Sequence, residues 1–228
     1  MHKKLLLVGT IMFGISDIQG LSLYQANMWQ SKDVDGTTLP YFSQTFLQEL
    51  QKWDVKDWSV FIWGAGDCPT ESTLFWFARK CKKVTYVDWY DRWIGELNNF
   101  IDRQLHMVNK VLFKCRAIER IEKNDPLLGK VNVNIFSNFG MNSSYVNAVA
   151  EDGEKYDCVI VDGYHRNSCI SKAITHIKPG GVIILNNANQ QTLGINSTQA
   201  YQLLAKYPHK SCLHPGHLDW RTDYWIIN

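Results

Sequence analysis

The chain has no Cys-x-x-Cys pair, no extended basic run, no internal repeat and no low-complexity tract. Each absence removes a class of function. Without paired cysteines, the six thiols (Cys68, Cys81, Cys115, Cys158, Cys169 and Cys212) supply no zinc ligand set, and in a chain of 228 residues they do not read as a disulfide framework. Lys and Arg number 24 against 22 Asp and Glu, a net charge of +2 without a cluster of one sign, so no nucleic-acid partner is expected. No apolar run is long enough for a stable membrane span. The nearest candidate, Leu5 to Ile15, follows His2-Lys3-Lys4 and leads into Ser16 and Asp17. That order of charged, apolar and small or polar residues is the order of a secretory signal, so residues 1–20 are read as a signal-like or short anchor segment. The plain alternative is a short buried strand or helix.

What is present is ample core material: 45% hydrophobic residues and nine Trp, enough for one sizeable domain, taken as 21–228. Its most informative stretch is Ser59-Val60-Phe61-Ile62-Trp63-Gly64-Ala65-Gly66. A β-branched and aromatic run cut off by Gly-x-Gly reads as a buried parallel strand entering a tight turn, where a ligand can meet bare backbone. Ser72 to Ala78 follows as an apolar helix. Val84 to Asp88 then reads as the next strand, and its terminal carboxylate lies about 20 residues past Gly66, the spacing that sets an acid against a ribose diol.

Before this unit, a helical lead-in over 39–54 starts at Pro40 and carries Phe42, Phe46, Leu47, Leu50 and Trp53 on one face. After it, a helix over 91–108 and a strand at Val111 to Phe113 are expected. The segment 119–142 lacks a clear period; Asp125-Pro126 breaks any helix, and the segment reads as an insertion near a substrate mouth. Regularity returns with a helix at Ser143 to Val149, a strand at Tyr156 to Asp162, a helix at Cys169 to Ile177, a sharp turn at Lys178-Pro179-Gly180-Gly181 and a buried strand at Val182 to Leu185. A helix from Thr198 to Tyr207 leads to two strands, Ser211 to His214 and Asp223 to Ile227, paired as a hairpin through Pro215-Gly216. His209, His214 and His217 there fit a polar hairpin better than a metal site.

Alternating strands and helices give an α/β chain with a doubly wound, mostly parallel Rossmann-like sheet and a C-terminal antiparallel hairpin; the core spans 58–228. Ligands in such sheets bind beyond the carboxyl ends of the strands. Gly64-Ala65-Gly66, Asp88, Asp162 and Asn186-Asn187 all fall at that edge. A dinucleotide fingerprint needs a small residue where Pro69 stands, and Asp67 and Glu71 would repel phosphates, so NAD is disfavoured. S-adenosylmethionine, with a ribose, an ammonium and a sulfonium but no phosphate, suits these carboxylates better. Trp89, Tyr90 and Trp93 follow Asp88 closely, and one of them is a candidate for stacking on adenine; for Trp93 the plain alternative is packing of its helix.

On these residues the chain resembles the class I S-adenosylmethionine-dependent methyltransferases. It is similar to a group with Trp-Gly-x-Gly before Ser-Thr-Leu (Trp63 to Gly66, Ser72 to Leu74) and Val-Asp-Gly-x-x-Arg-x-x-Cys (Val161 to Cys169). That group continues with Lys-Pro-Gly-Gly (Lys178 to Gly181) and Thr-x-x-Trp (Thr222 to Trp225). Two departures stand out: the extra residues Asp67 to Glu71 in the first turn, and Asn186-Asn187 where the group has Asp-Asn. The resemblance implies methyl transfer to an O or N nucleophile of a small or unidentified acceptor. It also implies a cofactor site of Gly64, Ala65, Gly66, Asp88, Trp89 and Asp162. Asp162 or His165 would orient or deprotonate the acceptor; for His165 the plain alternative is an exposed loop residue. Arg166 is expected to bind an acidic substrate group or to pair with a carboxylate and fix the loop. No metal site is expected, because Asn186 removes one charged oxygen ligand. The cofactor favours a cytoplasmic location, against the signal-like N-terminus. The competing reading is a methyltransferase-fold binding module without catalysis.

Overall fold

The computed structural model describes residues 39–64, 73–88, 111–115, 144–189 and 197–228, with backbone alone at Phe75, Asp88, 111–115 and 217–219. The expectations for 1–38, the first turn from Ala65 to Ser72, the helix over 91–108, the segment 119–142 and the neighbourhood of Trp89 lie outside these residues. Among the described residues no helix is long and apolar enough to cross a membrane.

In the unit from Pro40 to Asn228 the elements alternate. They run α1 (Gln44–Leu50), β1 (Ser59–Trp63), α2 (Thr73–Lys80), β2 (Lys83–Asp88) and β3 (Val111–Cys115). Then come α3 (Ser144–Asn147) with a 3-10 turn at Ala148–Ala150, β4 (Tyr156–Val161), α4 (Arg166–His176), β5 (Ile177–Leu185), α5 (Thr198–Leu204), β6 (His209–His214) and β7 (His217–Ile227). The strands form one seven-stranded sheet in the order β3-β2-β1-β4-β5-β7-β6. Pairings from β3 through β5 are parallel and the two that involve β7 are antiparallel. The doubly wound sheet with a C-terminal antiparallel pair is therefore observed. The order reverses between β1 and β4, the switch point at which open α/β sheets leave a crevice.

The central strands are apolar on both faces because both are covered. Val60, Phe61, Ile62 and Trp63 are all buried, as are Cys158 to Val161. Alternate residues (Phe61, Trp63, Val159, Val161, Ile183, Leu185) join a core with Tyr145, Val146, Cys169, Ile170, Ala173, Ala200 and Leu204. On α1, Phe46 meets Phe42, Trp53 and Tyr224 at ring distances of 5.0, 5.7 and 5.5 Å, which fixes the lead-in against the antiparallel end of the sheet.

Two local expectations are corrected. The lead-in helix begins at Gln44, not Pro40: Ser43 is extended at φ −58°, ψ 143° and its backbone N–H and hydroxyl bond to Thr222 and Cys212 instead of to the helix. Lys178-Pro179-Gly180-Gly181 is not a connection but a bulge inside β5. Tyr156 pairs with Ile177 and Cys158 with Val182, so the extra residues loop out while the ladder resumes on the same neighbour. Gly180 takes φ +79° there, and Lys178 Nζ reaches both Asp157 carboxylate oxygens at 2.9 and 2.8 Å.

Candidate functional site

Each central strand continues its ladder one residue past its end. The Gly64 N–H donates to Val87 O (2.8 Å), the Asp162 N–H to Trp63 O (3.0 Å) and the Asn186 N–H to Val161 O (3.1 Å). Gly64, Asp162 and Asn186 are thus aligned along one rim by backbone bonds alone. Gly64 turns out of β1 at φ +59°, a conformation open to Gly at little cost. A Cβ at Gly64 would stand 2.7 Å from Gly163 Cα, and one at Gly163 would collide with Tyr145 Oη. The turns after β1 and β4 therefore meet backbone to backbone. Tyr145 is fixed in turn: its carbonyl accepts the Trp63 indole N–H at 2.9 Å.

Asp162 is held from two sides. Asn186 Nδ2 donates to its Oδ2 at 3.0 Å, and Arg166 Nη2 stands 3.9 Å from Oδ1, beyond hydrogen-bond reach. Asn186 is fully buried, with both amide hydrogens and the oxygen engaged: Nδ2 also donates to Tyr41 O (2.8 Å) and Oδ1 accepts the Thr222 hydroxyl (2.9 Å). Arg166 is 1% exposed and its guanidinium is spent on carbonyls, Nε on Gly163 O (3.1 Å) and Nη1 on Asn186 O (2.6 Å) and Asn187 O (3.0 Å). Burial lowers its pKa, opposed chiefly by the Asp162 carboxylate. Of the two roles expected for Arg166, it fills the one that fixes the loop.

His165 precedes α4 with a left-handed backbone, φ 54°, and is 5% exposed, so it is not the exposed loop residue of the plain alternative. Its carbonyl accepts the Cys169 N–H and thereby starts the helix. The Cys169 thiol donates to Tyr164 O at 3.5 Å, and full burial pushes its pKa well up. Asp88 ends β2 at the same edge, paired with Cys115. The rim therefore gathers Gly64, Asp162 and His165 with the end of β2; Ala65, Gly66 and Trp89 lie outside the described residues. Tyr41 and Ser43 carry no functional signal in the local sequence, and Thr222 carries only its place in the Thr-x-x-Trp motif.

A second polar cluster sits between α5, β6 and β7. Buried Asp223 accepts hydrogen bonds from the Tyr201 and Ser211 hydroxyls, with Arg221 Nε at 3.1 Å and His209 Nε2 at 3.5 Å. Burial and the Asp223 carboxylate raise the Tyr201 phenol. His209 stacks on Trp225 at 4.5 Å and His214 on Trp220 at 5.0 Å, and no metal-binding group occurs among the described residues. His209 and His214 lie on β6, which pairs with β7 as a hairpin through Pro215-Gly216.

No family model and no curated protein matches the chain. Solved structures do. A methyltransferase of Pyrococcus furiosus superposes with a TM-score of 0.50 at 15% identity, over 93% of this chain and 98% of that one. A candidate rRNA methylase of Clostridium thermocellum gives 0.51 at 12% identity, over 83% and 98%. The fold is a class I methyltransferase fold. At these identities the likeness is one of fold, and the methyltransferase sheet carries its rim of Gly64, Asp162 and Asn186 where such sheets bind ligands.

Proposed function

We propose that this chain is an S-adenosylmethionine-dependent methyltransferase acting on an O or N nucleophile. The observation that carries the reading is the alignment of Gly64 and Asp162 at the switch point of a methyltransferase sheet, with their turns in backbone contact. The residues present fit the cofactor. Gly64, at φ +59°, turns the chain sharply out of β1 at the rim, and Asp162 sets a carboxylate at the neighbouring strand end. Asp88, at the end of β2, would accept from the ribose hydroxyls; Gly64, Ala65 and Gly66 would border the methionine end, and Trp89 the adenine.

Bound S-adenosylmethionine would supply an electrophilic methyl carbon: the acceptor would gain a bond to it as the sulfur–methyl bond breaks to leave the thioether, and would lose a proton. The protein's share of the rate lies in alignment and exclusion of water. Asp162, held in place by the Asn186 amide, would take the acceptor's proton. His165, next to this turn and buried, would orient the acceptor.

Calorimetric titration of the full chain with S-adenosylmethionine and S-adenosylhomocysteine tests the reading. Binding is expected, weakened roughly ten- to hundred-fold by Asp88→Ala. A folded protein that binds neither at millimolar concentration overturns it in favour of a non-catalytic binding module, and an Asp88→Ala variant that binds as tightly as wild type removes the ribose role.

A further inference from the structure

The notable feature of the rim is the direction in which the Asn186 amide must point. Tyr41 O can only accept, so the atom 2.8 Å from it is the nitrogen. Thr222 Oγ1 accepts the Ser43 N–H at 3.0 Å and passes its own proton to Asn186 Oδ1 at 2.9 Å, which fixes the oxygen on the other side. The second N–H then falls on Asp162 Oδ2 at 3.0 Å. A buried nitrogen with two protons thus lies between a carboxylate oxygen and a carbonyl oxygen, two ligands of the kind hard cations select.

We propose that the Asn186 amide nitrogen takes the place of a divalent cation at this rim, holding Asp162 Oδ2 and Tyr41 O together without added charge. Asn186 is a positioning residue for Asp162: the position between the two oxygens is filled by its nitrogen, and its oxygen is engaged by Thr222. An aspartate at this position would face Asp162 and the Tyr41 carbonyl with acceptors on all three. One carboxylate would then take up a proton or recruit a cation. The assignment rests on geometry and stands whether or not the chain transfers methyl groups.

The test is thermal unfolding of the full chain as a function of pH and of magnesium, against potassium chloride at matched ionic strength. Wild type is expected to show no saturable magnesium effect. Asn186→Asp is expected to melt about 3–5 °C lower near neutral pH, the shift for one pKa unit in a chain of this size. Its deficit should shrink as pH falls and the shared proton binds, and should shrink saturably with magnesium. Asn186→Ala, which removes the strut without adding charge, should lose stability with neither dependence. Should Asn186→Asp fold at no pH, the wild-type magnesium titration decides. Saturable magnesium stabilisation of wild type overturns the proposal. So does an Asn186→Asp variant whose pH profile runs parallel to wild type, since its carboxylate would then not face Asp162.

Discussion

Gly64 and Gly163 touch through their backbones: a Cβ built on Gly64 stands 2.7 Å from Gly163 Cα and 3.1 Å from its nitrogen. The contact joins the ends of β1 and β4 at the point where the sheet order reverses.

Gly64→Ala is expected to destabilise the chain by about 2–4 kcal/mol, the cost of a left-handed alanine added to an overpacked contact. Gly163→Ala should cost a similar amount through its collision with Tyr145 Oη, and Tyr145→Phe should recover part of that loss in the double variant. Chemical denaturation measures both; a neutral Gly64→Ala would mean the turns are apart.

Replacing Arg166 tests the loop lock. Arg166→Met leaves the carbonyls of Gly163, Asn186 and Asn187 without their donor, and a loss of about 3–5 kcal/mol is expected. Arg166→Lys should rescue little, because an ammonium cannot span three carbonyls as the planar fork does. Equal stability of the lysine variant and wild type would contradict this geometry.

At position 165 the backbone and the ring can be separated. His165→Ala and His165→Gly both lose the buried imidazole, but only alanine must hold φ 54° with a Cβ. The glycine variant is expected to be more stable than the alanine variant by about 1 kcal/mol in urea unfolding. The reverse order would show that the turn relaxes out of the left-handed region.

Cys212 gives an alkaline signature. Burial raises its thiol from 9.0 to about 11, so the folded chain keeps the proton after the unfolded chain has released it. Its contribution is complete below about pH 9 and is lost as pH climbs towards 11. Cys212→Ala should flatten the decline of melting temperature over that window; an unchanged slope would mean that the thiol is not shielded.

Much of the architecture was legible in the residues. The runs Val60 to Trp63 and Cys158 to Val161 are apolar at every position, which only a strand covered on both faces tolerates, and Gly-x-Gly and Asp-Gly punctuate their ends. Other features were misread because a local pattern has two tertiary outcomes. Lys178-Pro179-Gly180-Gly181 carries turn residues, and a turn and a bulge need the same backbone. What separates them is whether the ladder resumes on the same neighbour, as it does between Cys158 and Val182.

By itself the sequence determined the succession of strands and helices and the carboxylates at the strand ends, because hydrophobic period and turn chemistry are local properties. The tertiary structure alone decided what surrounds Asp162. Asn186 meets Tyr41 across 145 positions and Ser43 meets Thr222 across 179. Those contacts exist because β7 inserts antiparallel between β5 and β6 and brings its Thr222 to the rim. No local spacing encodes that order, since it follows from which faces can be buried together once the whole chain has collapsed.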